Sequence, residues 1–115
     1  MPQEPLTIED LTGSDNDTRV LRLKGPITIA NLFDFQSRVR SNTVRKLILD
    51  LSDVPYIDSA GIGALVGAYV THQKDGRSLA LVGVCQRIQH ALEITHVKSF
   101  FRFFDSLPNA EAAAN

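Results

Sequence analysis

Few side chains in this sequence could carry chemistry unaided. Cys85 is the only cysteine, and His72, His90 and His96 are the only histidines. A lone thiol offers neither an internal disulfide nor a zinc cluster. Cys85 follows an apolar strand segment and reads as an inert, buried thiol. His90 and His96 lie within one short segment and lack a carboxylate pattern that would complete a metal site, so the histidines read as surface or core-edge residues. The stretch that stands out is DSAGIGALVGAYV, Asp58 to Val70. Ser59 is not the nucleophile of a hydrolase elbow, because that motif is G-x-S-x-G and here the serine precedes its glycines. The segment from Gly61 to Gly67 reads GxGxxxG, one residue longer than the dinucleotide fingerprint, and the next strand, LALVGV, does not end in an acidic residue. A GxxxxGK[ST] phosphate loop is also absent. Neither catalysis nor a cofactor or metal is expected.

What remains is a hydroxyl beside a carboxylate at the mouth of a helix. Asp58 or Ser59 can cap that helix. Free backbone N–H groups and the positive end of the helix dipole converge there. A phosphate on Ser59 would bring about −1.5 to −2 charges and would stand next to the like charge of Asp58.

The helix behind this mouth is unusual. Ile62, Leu65, Val66, Tyr69 and Val70 follow the i, i+3, i+4, i+7 spacing of a stripe that faces a sheet. The opposite side then carries Ala60, Gly63, Ala64, Gly67, Ala68 and Thr71 where Lys and Glu would be ordinary. After Asp58 the next charge is Lys74, about four turns along. A glycine within a helix costs about 1 kcal/mol relative to alanine, so three of them in one helix call for a reason. Two are open: another segment of the same chain covers the small residues, or another protein docks on them.

The remaining elements serve to position this helix. Leu6 to Asp10 and Thr18 to Lys24 alternate as a hairpin around the turn-rich TGSDND. Gly25-Pro26 ends the second strand, and Thr28 caps a helix predicted over 29–41 with Ile29, Leu32, Phe35, Gln36 and Val39 on its buried stripe. VRKLILDL, Val44 to Leu51, is a central strand. Lys74-Asp75-Gly76 closes the second helix. Leu79 to Val84 is a further buried strand. Gln86 to Thr95 is a helix with Ile88, Ala91, Leu92 and Thr95 inward, and Phe100 to Phe104 is a last strand whose phenylalanines serve the core. The tail from Leu107 is either a short helix or frayed. The order β-β-α-β-α-β-α-β predicts an α/β fold, a mixed sheet of four to five strands with helices packed on it. One domain is expected over residues 1–115, with a core at about 6–106.

Composition narrows the partners. With 12 basic and 13 acidic residues the net charge is −1, which makes no electrostatic case for nucleic acid or an anionic membrane. No apolar run is long enough to span a bilayer, and the N-terminus lacks the pattern of a secretory signal. A cytoplasmic location is expected.

LILDLSDVPYIDSAGIGALVGAYV resembles the anti-sigma factor antagonist family, the STAS domains. The resemblance rests on Asp50-Leu51-Ser52, the pair Tyr56-Ile57, and Asp58-Ser59-x-Gly61-x-Gly63, and it extends to GRSLALVGVCQRIQHALEITHVKSFFRFFDS. It implies a mixed sheet with helices mainly on one side and a switch without catalytic activity. Ser59 would be the residue phosphorylated by a partner, an anti-sigma factor with Ser/Thr kinase activity, and a Ser/Thr phosphatase would reverse this. Unphosphorylated protein would bind that factor and free its sigma factor. The partner-binding residues would be Asp58, Ser59, Ala60, Gly61, Gly63, Ala64, Gly67 and Thr28. Many members carry an acidic residue near the position of Thr28, so a carboxylate contact there is not carried over. The alternative role is a scaffold STAS subunit of a transport or signalling assembly that is not phosphorylated. Weak self-association is compatible with either.

Overall fold

Successive side chains of a strand point to opposite faces of its sheet. In LILDL both sets are buried: Leu47, Leu49 and Leu51 on one face, Ile48 and Asp50 on the other. Such a strand needs cover on both sides. The computed structural model, which describes residues 5–113, puts it at the centre of a five-stranded sheet. The strands are β1 (Thr7–Thr12), β2 (Thr18–Lys24), β3 (Lys46–Asp53), β4 (Ser78–Val82) and β5 (Arg102–Phe104), in the spatial order β1-β2-β3-β4-β5. β1 and β2 form an antiparallel hairpin, with Leu11 opposite Val20, and every later pair is parallel.

Because the parallel strands follow one another in order, right-handed crossovers put their connecting helices on one face. These helices are α1 (Leu32–Ser41), α2 (Ser59–Lys74) and α3 (Gln86–Ile94), the last followed by a 3-10 turn at Lys98–Phe100. They cover the main core, which includes Leu21, Leu23, Leu49, Leu51 and Leu81. A short α4 (Leu107–Ala112) takes the other face, setting Ala110 against Val20, Ile48, Ala80 and Val82. Lys46 ties it down: Nζ donates to the carbonyls of Glu111 at 3.2 Å and Ala113 at 2.7 Å, satisfying groups that a helix end leaves without partners. Burial, aided by the charge of Arg102, lowers the Lys46 pKa. Expectations for residues 114 and 115 of the tail lie outside the described residues.

Several element ends differ from expectation for local reasons. α1 begins at Leu32 rather than Ile29, and Thr28 does not cap it. Asn31 accepts from the Thr28 amide at 3.0 Å and donates to the Pro26 carbonyl at 2.8 Å, and Thr28 Oγ1 accepts from the Ala30 amide at 3.2 Å. Side-chain bonds of this kind stabilise a turn in competition with helix, and they turn Ile29 outward, 70% exposed. Phe35 and Val39 keep their places in the core. Thr95 is the C-cap of α3 and lies exposed instead of inward, with its hydroxyl donating to the Ala91 carbonyl at 2.8 Å. Cys85 is half-buried rather than buried, its thiol directed at the carbonyls of Val54 and Pro55. Of the terminal phenylalanines Phe101 is core, whereas Phe100 is 43% exposed and stacks on Tyr69.

His72 of α2 is buried, neither at the surface nor at the core edge. Its Nδ1 lies 2.8 Å from the Ala68 carbonyl. Burial, reinforced by Arg77, holds its pKa below the ordinary 6.5. The unfolded chain therefore takes up a proton at this ring as pH falls through the ordinary value, while the folded chain resists. Stability present above that value is lost on acidification until the folded pKa is passed. Urea unfolding of the wild type should show a midpoint that falls between about pH 7.5 and about pH 5.5. His72→Phe should fall less over the same interval; equal falls would contradict this role for His72.

Candidate functional site

Asp58 is the N-cap of α2, in extended backbone conformation as a cap requires. Its Oδ1 accepts from the Gly61 amide at 2.8 Å and its Oδ2 from the Ile29 amide at 3.0 Å. One carboxylate thus joins the start of α2 to the turn between β2 and α1. Two backbone hydrogen bonds reinforce the joint: the Asp58 amide donates to the Ile27 carbonyl at 3.1 Å and the Ile27 amide donates to the Tyr56 carbonyl at 3.3 Å, together making an isolated parallel bridge between Ile27 and Ile57. Arg87 at the start of α3 stacks over the Tyr56 ring, 5.1 Å from its centre.

Ser59 is the first residue of α2 and is exposed. Among the described residues the amides of Ser59 and Ala60 have no hydrogen-bond partner, as expected for a first helical turn. The side chain that would carry a modification therefore stands in solvent, beside two unengaged N–H groups and a carboxylate already committed through both oxygens.

The phase of α2 differs from the helical-wheel expectation. Ala64 and Ala68 face inward with Gly61, Leu65 and His72. Val70 points out, 53% exposed, and Ile62, Val66 and Tyr69 are half-buried. Gly61 sets this phase: a Cβ there would lie 2.5 Å from both the Ile27 carbonyl oxygen and Ile57 Cγ1. Ala64 and Ala68 sit on the side turned to α1, where small side chains allow close approach of the two helices. Gly63 and Gly67 are different. A Cβ at either would meet nothing within 4 Å. Among the described residues no part of the chain covers them.

Of the residues expected to bind a partner, Ser59, Gly63 and Gly67 are exposed, while Asp58, Ala60 and Thr28 are half-buried. Gly61 and Ala64 are buried and serve internal packing. The sequence reasoning missed Ile29 and Phe33, which are 70% and 83% exposed and belong to the segment that Asp58 holds against α2. Phe33 offered a signal, since it lies off the apolar stripe of its helix, on the side of Asp34 and Ser37.

A five-stranded mixed sheet with three helices on one face, and a serine at the mouth of the second, defines a class. The family model for the STAS domain matches residues 10–110, and the chain belongs to that family. Among its relatives is the anti-sigma-B factor antagonist of Staphylococcus aureus. It is 31% identical over 71 residues, which is 62% of this chain and 66% of that protein, just under two thirds of its length. The crystal structure of an anti-sigma factor antagonist from Mycobacterium paratuberculosis matches with a TM-score of 0.80 at 17% identity, over 92% of this chain and 91% of that one. The Bacillus cell fate determinant SpoIIAA in its phosphorylated form matches with a TM-score of 0.70 at 12% identity, over 90% and 96% of the two chains. At these identities the structural likeness speaks for the fold alone.

The glycines of α2 should respond in opposite directions to alanine. Gly61→Ala should lose about 1–3 kcal/mol to overpacking, whereas Gly67→Ala should gain up to about 1 kcal/mol from helix propensity. Asp58→Ala should cost about 1–2 kcal/mol through the lost cap. Denaturant unfolding of the three variants checks the assignment, and a stabilised Gly61→Ala would refute the close approach to Ile27.

Proposed function

We propose that this chain is an anti-sigma factor antagonist that works by binding, without catalysis, as a single domain in the cytoplasm. In its unphosphorylated state it binds an anti-sigma factor with Ser/Thr kinase activity and frees the sigma factor held by it. Phosphorylation of Ser59 releases the complex, and a Ser/Thr phosphatase restores the active form. Self-association, where it occurs, is weak and separate from this switch.

One observation carries the proposal: exposed Ser59 stands at the head of a charge-free strip of α2 on which Gly63 and Gly67 are open, with exposed Ile29 held to its mouth by Asp58 and exposed Phe33 one turn further along the chain. Exposed apolar surface of this kind marks interaction sites. A partner helix or loop can approach the glycines to backbone distance, and Ile29 and Phe33 supply apolar anchors. The switch follows from electrostatics. A phosphate on Ser59 would be held by the amides of Ser59 and Ala60, close to the Asp58 carboxylate, which cannot turn away without releasing Gly61 or Ile29. Docking would then require a neutral face to bury a group of about −1.5 to −2 charges, a costly desolvation unless the partner offers cations. The Staphylococcus aureus relative, an anti-sigma-B factor antagonist, supports the same role.

Incubation with the cognate kinase and ATP, followed by intact mass, should show addition of one phosphate that Ser59→Ala abolishes. Ser59→Ala should keep its affinity for the kinase, and Ser59→Asp should lose about tenfold or more, about 1.4 kcal/mol. Phe33→Ser should weaken binding by a similar factor while changing stability by no more than about 0.5 kcal/mol. Equal affinity of wild type and Ser59→Asp would count against the switch, and an unmodified wild type would favour a scaffold role instead.

A further inference from the structure

Across the sheet from α2 lies a second, smaller core. Val20, Ile48, Ala80 and Val82 form it, each no more than 3% exposed. Among the described residues α4 is the helix that covers them, packed on β3, β4 and β5. It has six residues, too few to hold a helix in water without docking. Its apolar hold is narrow: Ala110 is its buried residue, fully enclosed, and Leu107 adds a partly buried contact.

The other hold is Lys46, which is 5% exposed. Its ammonium donates to the carbonyls of Glu111 and Ala113 at the C-terminal end of α4, and bonds from a charged donor are stronger than neutral ones. Burial and the charge of Arg102 both act against this ammonium. Undocking α4 would return it to water, which offsets part of the cost of opening. The helix that closes the second core is therefore short, fastened at few points, and held in part by a charge that water would also satisfy.

We propose that α4 is a strap that detaches as a unit while the five-stranded sheet and α1 to α3 stay folded, with Lys46 as its latch. Opening uncovers Val20, Ile48, Ala80 and Val82, and Lys46 exchanges two carbonyls for water. The closed form predominates, because the side chains uncovered are apolar. α1, α2 and α3 cover the main core on the other face of the sheet. The device is thus independent of Ser59 and of any kinase, so its failure and the failure of the switch are separable.

The test is native-state hydrogen exchange of the labelled full chain, read by NMR in low urea. The amides of α4, Ala110 among them, should share one opening equilibrium and exchange about tenfold or more faster than those of Ile48 and Leu49 in β3. Lys46→Met should speed exchange in α4 about tenfold further relative to β3. Ala110→Asp should detach α4, still unfold cooperatively, and bind the dye anilinonaphthalene sulfonate, a probe of exposed apolar surface, more strongly than the wild type does. Exchange of α4 only together with β3 would overturn the proposal. So would a wild-type α4 that exchanges like an unstructured peptide, or unchanged α4 exchange in Lys46→Met. A Lys46→Met or Ala110→Asp chain that cannot fold would overturn it too, since a strap can leave while the sheet stands.

Discussion

Both oxygens of the Asp58 carboxylate are committed, one to the amide of Gly61 and the other to the amide of Ile29. The first bond caps α2, and the second fastens the turn after β2 to the mouth of that helix. Everything exposed at this end of the molecule takes its position from that pair. Remove the carboxylate and two polypeptide segments distant in sequence lose a common anchor. The close approach of Gly61 to the Ile27 carbonyl completes the joint, because any side chain at Gly61 would force the segments apart. A cap ordinarily satisfies one helix end; this one also fixes the relative placement of Ser59 and Ile29.

The same joint explains the two uses of small residues in α2. On the inner side Ala64 and Ala68 turn toward α1 and the core. On the outer side Gly63 and Gly67 meet no other part of the described chain. Inner small residues are ordinary packing. Outer glycines weaken an isolated helix, so their use is better explained by a neighbour from outside. Ile29 and Phe33 add apolar surface at the same end, and the absence of charge along the strip keeps its desolvation inexpensive. A group carrying negative charge at Ser59 changes that condition while leaving the core untouched.

Much of the architecture was legible in the sequence. The alternation of Thr18 to Lys24 marked β2, the dense apolar centre of β3 marked a central strand, and a cap was readable at Asp58 or Ser59, of which the structure uses Asp58. Two things were not legible, each for a physical reason. The rotation of α2 about its axis could not be read because almost every residue from Ala60 to Val70 is small or apolar, so no polar side set the phase. A single steric contact at Gly61 sets it, and that contact is long-range. The start of α1 was displaced by side-chain bonds of Thr28 and Asn31, which made a turn where propensity favoured a helix. That displacement brought Ile29 to the surface and with it half of the apolar patch. Serine and glycine types could be read in order along the chain, whereas the surface they form depends on which way α2 is turned.

Hydrogen–deuterium exchange on the unphosphorylated chain, free and mixed with the anti-sigma kinase proposed as its partner, tests the proposed docking surface most directly. Protection should concentrate on the first half of α2, from Ser59 to Gly67, and on the segment from Ile29 to Phe33. Protection confined to α4, the β1 edge or the far end of α3, with those two segments exchanging as in the free protein, would contradict the account.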